Sequence, residues 1–265
     1  MFKYNRLTEL KLLFEKYITI STIAEKFDAL EVSETINSCI NYMDDRNFDI
    51  IGVKENGCII GYWMRRERTD GVLGDDVLEF VDDEIMPSTC PLPEALHYLA
   101  EKPRLFVKES GTVVGIITRA DLHKPAVRIW LYGLISVLEI HMFELIREEY
   151  SGNDWGKKLS CRRRKHILKI HSSRKKMNED IDLLYCTEFC DKRTIIEKSN
   201  LFKVTGIESK KVFSKEFKRI GDIRDWVAHS CKIEKSGCER VSELSEKIES
   251  IINNIEQFLC YKNSY

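Results

Sequence analysis

Proline is missing from more than half of this chain. All five prolines lie in the first 125 of the 265 residues, at Pro87, Pro91, Pro93, Pro103 and Pro125. Proline removes a backbone donor and breaks helix interiors, so the 140 residues after Pro125 are easiest to interpret as helices. The distribution of proline therefore divides the chain at about residue 125 into a front half and a helical back half.

The chain also lacks the marks of a secreted or membrane-inserted protein. Its nine cysteines are odd in number and irregularly spaced, which favours reduced thiols in a cytoplasmic protein over a disulfide framework. No apolar run follows the first residues, so no signal peptide is expected. The most apolar stretch, 127–146, contains Arg128, Glu139, His141 and Glu144, and we expect a buried helix there instead of a membrane span.

A metal site finds little support in the sequence. Cys186 and Cys190, with His166 and His171 upstream, could be imagined as zinc ligands. The chain has no CxxC pair, the spacing that structural zinc sites favour. We therefore predict no metal site.

Charge is unevenly divided along the chain. Residues 1–125 hold 15 Lys and Arg against 22 Asp and Glu, a net charge of −7. Residues 126–265 hold 27 against 21, a net charge of +6. An acidic front and a basic back indicate that a polyanion would meet the back half.

The front half contains an internal repeat. Residues 53–67 align with residues 107–121 at a constant offset of 54, and six of the fifteen positions are identical. Each copy has an apolar strand, a polar turn with Gly57 or Gly111, and a second strand, which is the pattern of a hairpin. A helical stretch precedes each hairpin, so each copy is predicted to be strand–helix–strand–strand with a short closing helix.

The repeat resembles a pair of CBS domains over roughly residues 15–125. In that family the segment after the hairpin reads Gly, two apolar residues, Ser or Thr, two variable residues and Asp, as Gly115 to Asp121 do here. The resemblance implies that Thr118 holds a phosphate and Asp121 takes the ribose hydroxyls of an adenine nucleotide such as AMP or ATP. The alternative is that Thr118 and Asp121 only cap a helix.

The first copy departs from the family pattern. Met64 stands where the family has Ser or Thr, and Glu67 stands where it has Asp. Methionine cannot donate a hydrogen bond to phosphate. We expect this first site to be degenerate, although Glu67 could still reach a ribose.

The back half has the apolar periodicity of packed helices. The first helix, from about Val127, is apolar almost all round, so part of it is expected at a dimer interface. Further helices are predicted at 154–177, 178–190, 191–199 and 210–229, followed by a loop over 231–238. The closing helix has apolar residues three or four positions apart, at Val241, Leu244, Ile248, Ile251, Ile255 and Phe258.

Two basic runs, 161–166 and 173–176, lie in the second of these helices. They fit either a solvated helix face or a surface that contacts phosphates. No aromatic residues alternate with the charges, as they do where single-stranded bases stack. The sequence leaves both interpretations open.

The chemistry of the back half centres on Arg224, Asp225 and His229. Residues four or five apart lie near one face of a helix, so Arg224 and His229 could reach the same target. A histidine can give or take a proton at neutral pH, and a guanidinium binds phosphate in a bidentate manner. The alternative is a helix C-terminus with a histidine near its dipole.

The motif lies in a predicted helical bundle, and the bundle with its motif resembles the HEPN superfamily over about residues 127–262. Nuclease members carry Arg, four to six residues and then His, often with a polar residue after the Arg, as Arg224, Asp225 and His229 do here. The resemblance implies a homodimer with both motifs at one cleft. It also implies metal-independent RNA cleavage that leaves a 2′,3′-cyclic phosphate, in which Asp225 orients Arg224.

These patterns predict an α+β protein with a tandem CBS pair over 1–125 and an all-α HEPN-like bundle over 126–265. The expected function is an endoribonuclease regulated by an adenine nucleotide, with RNA as partner and no membrane. One alternative is a nucleotide-sensing scaffold without catalysis, or a partner of a nucleotidyltransferase. Another is a metabolic regulator whose helices only dimerise. A role as a toxin, in stress response or in antiviral defence stays open.

Overall fold

The computed structural model of the protein describes residues 6–66, 70–177, 179, 181–228 and 235–262. These residues form two compact units. The front unit comprises residues 13–126, and the helical unit comprises residues 6–12 together with those from Val127 onward. The division falls within the first helix, α1 (Arg6–Tyr17). Its first turns belong to the helical unit, where Arg6 pairs with Glu144 at 2.9 Å.

The front unit consists of two small sheets, each flanked by a helix. The strands are β1 (Glu25–Lys26), β2 (Ala29–Glu31), β3 (Ile50–Glu55), β4 (Cys58–Met64), β5 (Ile85–Pro87), β6 (Arg104–Glu109) and β7 (Thr112–Thr118). The sheets have the orders β2-β3-β4 and β1-β7-β6-β5. Helix α2 (Ile36–Arg46) lies between β2 and β3 in sequence, and α3 (Leu92–Glu101) lies between β5 and β6. Each copy is therefore strand–helix–strand–strand, as predicted.

The repeat extends to backbone details. Each hairpin has a register shift at the matching place, between Val53 and Lys54 in one copy and between Val107 and Lys108 in the other. The turn residues Asn56 and Gly57, like Ser110 and Gly111, all have positive φ. That conformation at both central positions fits the twist of two antiparallel strands. The predicted hairpins are confirmed.

The two copies share one aromatic cluster. Tyr62 of β4 lies 5.0 Å from Phe106 of β6 between ring centroids, and Phe27 lies 5.3 Å from the same ring. Phe106 is fully buried. The first copy also has a core of its own, where Ile36 and Met43 of α2 pack with Ile51 and Trp63 of the sheet, so the aromatic cluster adds a second core between the copies.

The described residues from 127 onward contain helices and no strand. Five long helices form this unit with α1: α4 (Pro125–Glu149), α5 (Cys161–Lys176), α6 (Phe189–Lys198), α7 (Lys210–Ala228) and α8 (Lys235–Lys262). Helix α5 begins later than expected, because residues 154–158 form a 3₁₀ turn and Ser160 then accepts from the Arg163 amide. The closing helix buries Val241, Leu244, Ile248, Ile251 and Ile255.

Two local predictions are wrong. Between 178 and 188 the described residues form only the 3₁₀ turn Leu183–Cys186, which Asp182 begins by accepting from the Leu184 amide at 2.9 Å. Side chains that bond to nearby backbone in this way compete with helix formation. The loop expected over 231–238 is already helical from Lys235.

Helix α4 is the core of the helical unit. Among the described residues it alone is long and apolar enough to cross a membrane by length and composition. Its apolar side chains are largely buried within the unit, with Val127, Leu131 and Leu134 inaccessible to solvent. This burial, together with the charged residues along α4, is typical of a core helix, as predicted.

A buried polar pair joins α4 to α8. His141 is inaccessible to solvent, and its Nδ1 lies 2.7 Å from the Val137 carbonyl oxygen. A carbonyl oxygen only accepts, so the contact with Val137 requires a proton on Nδ1. Nε2 also lies 3.0 Å from Glu256 Oε1, and a hydrogen bond there requires a second proton, on Nε2 or on the carboxyl group. Desolvation raises the pKa of Glu256, while His141 and Arg6 oppose the shift and Glu144 adds to it.

The free energy of unfolding should therefore fall as pH rises above about 4.3, the ordinary pKa of a glutamate. The folded protein keeps the Glu256 proton to higher pH than the unfolded chain, so stability present below that pH is lost as pH rises through the raised pKa. Urea unfolding over a pH series would measure the slope. Glu256→Gln should flatten it, while Glu243→Gln, at an exposed site on the same helix, should leave it unchanged. Equal slopes in all three proteins would contradict this.

Candidate functional site

Arg224 lies near the C-terminal end of α7 and is partly exposed. Its Nε is 3.9 Å from Glu139 Oε2 of α4, and its Nη1 is 3.4 Å from Asp225 Oδ1. Side-chain exposure is 39% for Arg224 and 71% for Asp225. Within the described residues the Nη2 group of Arg224 makes no hydrogen bond. The guanidinium can therefore accept a further anionic partner.

Glu139 is the centre of the contacts around Arg224. Its Oε1 accepts from Lys192 Nζ of α6 at 3.0 Å, and the same Nζ donates to the Thr187 carbonyl at 2.9 Å. Lys192 is 5% exposed, so its charge requires these acceptors. One carboxylate thus ties α4 to both α6 and α7 and faces Arg224.

A second arginine holds the end of α7. Arg128 of α4 donates to the Val227 carbonyl at 2.8 Å and to the Trp226 carbonyl at 3.4 Å. Its guanidinium also lies 5.4 Å from the centre of the Trp226 ring. Carbonyls at a helix C-terminus lack partners within the helix, and a cation there interacts well with the dipole. Arg128 therefore fixes the backbone directly before His229.

A cavity of about 710 Å³ lies beside Glu139 in the helical unit. Phe143, Tyr185, Arg147 and Lys192 also line it. Tyr185 packs against Phe143 with ring centroids 4.4 Å apart and the rings tilted by 31°, and it remains 58% exposed. A volume of this size, with aromatic and charged walls, is typical of sites that hold a small organic group.

The predicted site residues are only partly described. The structure places Arg224 and Asp225 side by side, whereas His229 lies outside the described residues. In the front unit Glu67 also lies outside them, and Met64 ends β4 as the repeat predicts.

Sequence reasoning does not single out Glu139 or Lys192 as site residues. Glu139 carries one signal, a carboxylate in an otherwise apolar stretch. That argues against a membrane span and equally indicates a buried polar contact. Lys192 has no comparable signal, because its partner is far away in sequence.

Thr118 and Asp121 form a capping box in the turn that follows β7. Asp121 Oδ2 accepts from the Thr118 amide at 2.7 Å and from its hydroxyl at 3.2 Å. The same hydroxyl accepts from the Ala120 amide at 3.2 Å. Asp121 Oδ1 pairs with Lys124 Nζ at 2.9 Å, and Asp121 is 5% exposed. In this arrangement both side chains stabilise the turn by hydrogen bonding within it.

One cluster of possible metal ligands occurs among the described residues: Glu188, Cys190 and Asp191. Arg163 already donates to both Asp191 oxygens, at 2.7 and 2.8 Å, and contacts Glu188 at 2.9 Å. Burial raises the pKa of the Cys190 thiol, which keeps it protonated. The carboxylates of this cluster are therefore already paired with Arg163, which explains why they lie together.

An apolar strip runs along the outer face of α4. Ile129, Tyr132 and Ile140 are 59%, 53% and 40% exposed. They lie three, eight and eleven residues apart, which puts them on one side of the helix, and Ile140 also lines the cavity. The strip therefore continues into the wall that contains Glu139.

Comparison with family models and with curated proteins finds no match. Among solved structures, a conserved CBS domain protein of unknown function from Thermoplasma acidophilum is 21% identical, covering 39% of this chain and 66% of that one, with a TM-score of 0.33. The CBS-pair protein CBSX2 from Arabidopsis thaliana is 17% identical and covers 42% of this chain and 95% of that one, with a TM-score of 0.36. The structure of CBSX2 in complex with AMP is 16% identical and covers 42% of this chain and 97% of that one, with a TM-score of 0.36. These similarities are partial, and the CBS-pair interpretation rests on the repeat of the front unit itself.

Proposed function

We propose that the helical unit is a metal-independent endoribonuclease and that the front unit regulates it by binding an adenine nucleotide. The observation that carries the first part is Arg224. Its guanidinium is partly exposed, held by Glu139 beside a cavity, and followed at the fifth position by His229. A permanent cation next to a group that titrates near neutral pH suits phosphodiester cleavage.

The proposed reaction uses the 2′-hydroxyl of the RNA as nucleophile. One histidine removes the 2′-hydroxyl proton as the 2′-oxygen attacks phosphorus. A second histidine gives a proton to the departing 5′-oxygen, which leaves a 2′,3′-cyclic phosphate and a 5′-hydroxyl. Arg224 stabilises the extra negative charge on the phosphorus oxygens. A composite site with His229 from two copies supplies both histidines.

Glu139 and Lys192 have positioning roles in this proposal. Glu139 restrains the Nε edge of Arg224 and leaves Nη2 for a phosphate oxygen. Lys192 offsets the charge of Glu139, so the carboxylate does not neutralise the guanidinium by itself. Asp225 borders the same guanidinium from the solvent side.

Two features support the homodimer. The exposed strip of Ile129, Tyr132 and Ile140 is the kind of surface that an apolar contact covers. It adjoins the wall that contains Glu139, so a second copy on this strip would stand near the first copy's Arg224.

Nucleotide binding to the front unit would require a change in the Thr118 cap. A phosphate oxygen can only accept, so the Thr118 hydroxyl hydrogen would have to turn away from Asp121. Asp121 would then have acceptor capacity for a ribose hydroxyl. Such a change gives the nucleotide two states to distinguish, which regulation requires.

The second candidate is a nucleotide-sensing scaffold without catalysis, including a partner of a nucleotidyltransferase. The observation that favours it is the closed capping box, in which every polar atom of Thr118 and Asp121 already has a partner. A metabolic regulator whose helices only dimerise would fit the same arrangement.

Cleavage of labelled single-stranded RNA in EDTA tests the nuclease. We expect products with 2′,3′-cyclic phosphate ends. His229→Ala should lower the rate by about 10²–10⁴, since it removes proton transfer. Arg224→Ala should lower it by about 10²–10³, since it removes charge stabilisation.

The matched control is His97→Ala, which removes an exposed histidine of α3 and should cleave like the wild type. If folded wild-type protein leaves RNA intact, or if His229→Ala cleaves as fast, the nuclease proposal fails and the scaffold takes its place.

The dimer can be tested with charges on the apolar strip. Ile129→Asp and Ile140→Asp should yield monomers in size-exclusion chromatography with light scattering, because a carboxylate in an apolar contact loses its hydration. Val212→Asp, at a residue of α7 that is 46% exposed and lies off the strip, should leave the mass unchanged. A wild type that is monomeric, or strip variants that stay dimeric, would contradict the proposed interface.

Calorimetric titration with AMP and ATP tests the front unit. Wild type and Thr118→Ser should bind, and Thr118→Val should bind roughly ten- to hundredfold more weakly, since it loses a hydrogen bond to a charged group. Thr118→Val also removes a cap, so thermal unfolding must establish that it is folded at the titration temperature. Lower stability of Thr118→Val without binding by any of the three proteins would assign Thr118 to the cap alone.

A further inference from the structure

Helix α5 presents a row of cations to solvent. At 3.6 residues per turn, one face of the helix carries Arg162, Lys165, His166, Lys169, Ser173 and Lys176, all of them exposed. The opposite face contains the buried Ile167 and the inward-facing Arg163. The helix has no acidic residue anywhere along its length. We call this exposed face the α5 row.

The row lacks the ion pairs that surface charges usually form. Among the described residues, Arg162, Lys165, Lys169 and Lys176 make no salt bridge. Arg163, on the inward face, is in contrast held by Asp191 and Glu188. The row is thus a set of hydrated charges available to a partner.

The placement of these charges is unfavourable for the isolated helix. Lys165 and Lys169 are like charges at positions i and i+4, which destabilises a helix. Arg162 lies in the first turn, where the helix dipole favours anions. A bound polyanion would remove both costs, which indicates that the row is built for one.

The chemistry of the row fits a phosphate backbone better than a lipid surface. Helices that lie on membranes expose an apolar face to the acyl chains. Ile167 of α5 faces protein and the row itself contains no apolar side chain, while the exposed Leu168 is a single residue and does not form an apolar face. Its length from Arg162 to Lys176 is about 21 Å at 1.5 Å per residue, enough for several consecutive phosphates of one strand.

We propose that the α5 row binds the phosphate backbone of single-stranded RNA. The choice of RNA rests on the proposed ribonuclease function, whereas the choice of a phosphate backbone rests on the row.

The test is fluorescence anisotropy with a labelled oligouridine, using full-length protein that carries His229→Ala to prevent cleavage. Arg162→Gln, Lys165→Gln and Lys169→Gln are combined in one variant. Each single-strand phosphate contact contributes a factor of about [salt]^−0.7, so at about 0.15 M salt the loss of three contacts should weaken binding roughly 50-fold. The slope of log affinity against log salt should also become shallower by about two.

The matched control removes three cations from α7, through Lys210→Gln, Lys211→Gln and Lys215→Gln. It changes the net charge by the same amount, so it separates the row from general attraction. Circular dichroism should give both triple variants the wild-type spectrum, since all six side chains are exposed. A DNA strand of equal length should bind about as well as the RNA, because the row contacts phosphates.

The outcomes separate this inference from the ribonuclease proposal. Binding that depends on the row supports the inference even if the wild type proves unable to cleave RNA. Equal losses in both triple variants, no loss in the α5 variant, or no RNA binding at all would overturn it. Sedimentation with phosphatidylserine vesicles but no binding of the oligouridine would assign the row to a membrane, and would overturn it as well.

Discussion

The helical unit depends on a carboxylate carried by its most buried helix. Glu139 lies on α4 beside the buried Leu138, and its side chain is only 26% exposed, so ion partners stabilise the half-buried carboxylate. Lys192 supplies one partner from α6, and Arg224 approaches from α7. Three helices are thereby held at one point, and the guanidinium in the proposed chemistry is oriented by the same contact.

Other polar residues of α4 act in a related way. Arg128 holds the end of α7, and His141 contacts Glu256 of α8 at 3.0 Å. Glu144 pairs with Arg6, which brings the start of the chain into this unit. A helix that looks like a membrane span by composition is thus the centre to which the surrounding helices attach.

The front unit follows a different physical rule, that of repetition. The first sheet packs on α2 around a core of its own, and the aromatic contact between Tyr62 and Phe106 joins the copies. The turn after β7 is closed by Asp121, Thr118 and Lys124, so the residues expected to bind a nucleotide currently stabilise the backbone. If the unit senses a ligand as proposed, the ligand must compete with this cap, and the competition would be the switch.

Local pattern was sufficient for much of this protein. The repeat at an offset of 54 predicted the two hairpins, and their positive-φ turns and register shifts also match, because similar local sequences meet the same steric limits. The apolar period determined α4 and α8. It failed at 178–188, where the side chain of Asp182 competes with the helix. Only the tertiary structure revealed Glu139 and Lys192 beside Arg224, and only it separated Arg163 from the free cations of α5. Those contacts join residues 28 to 85 positions apart, and pairing at such distances depends on how helices pack, which no local spacing records.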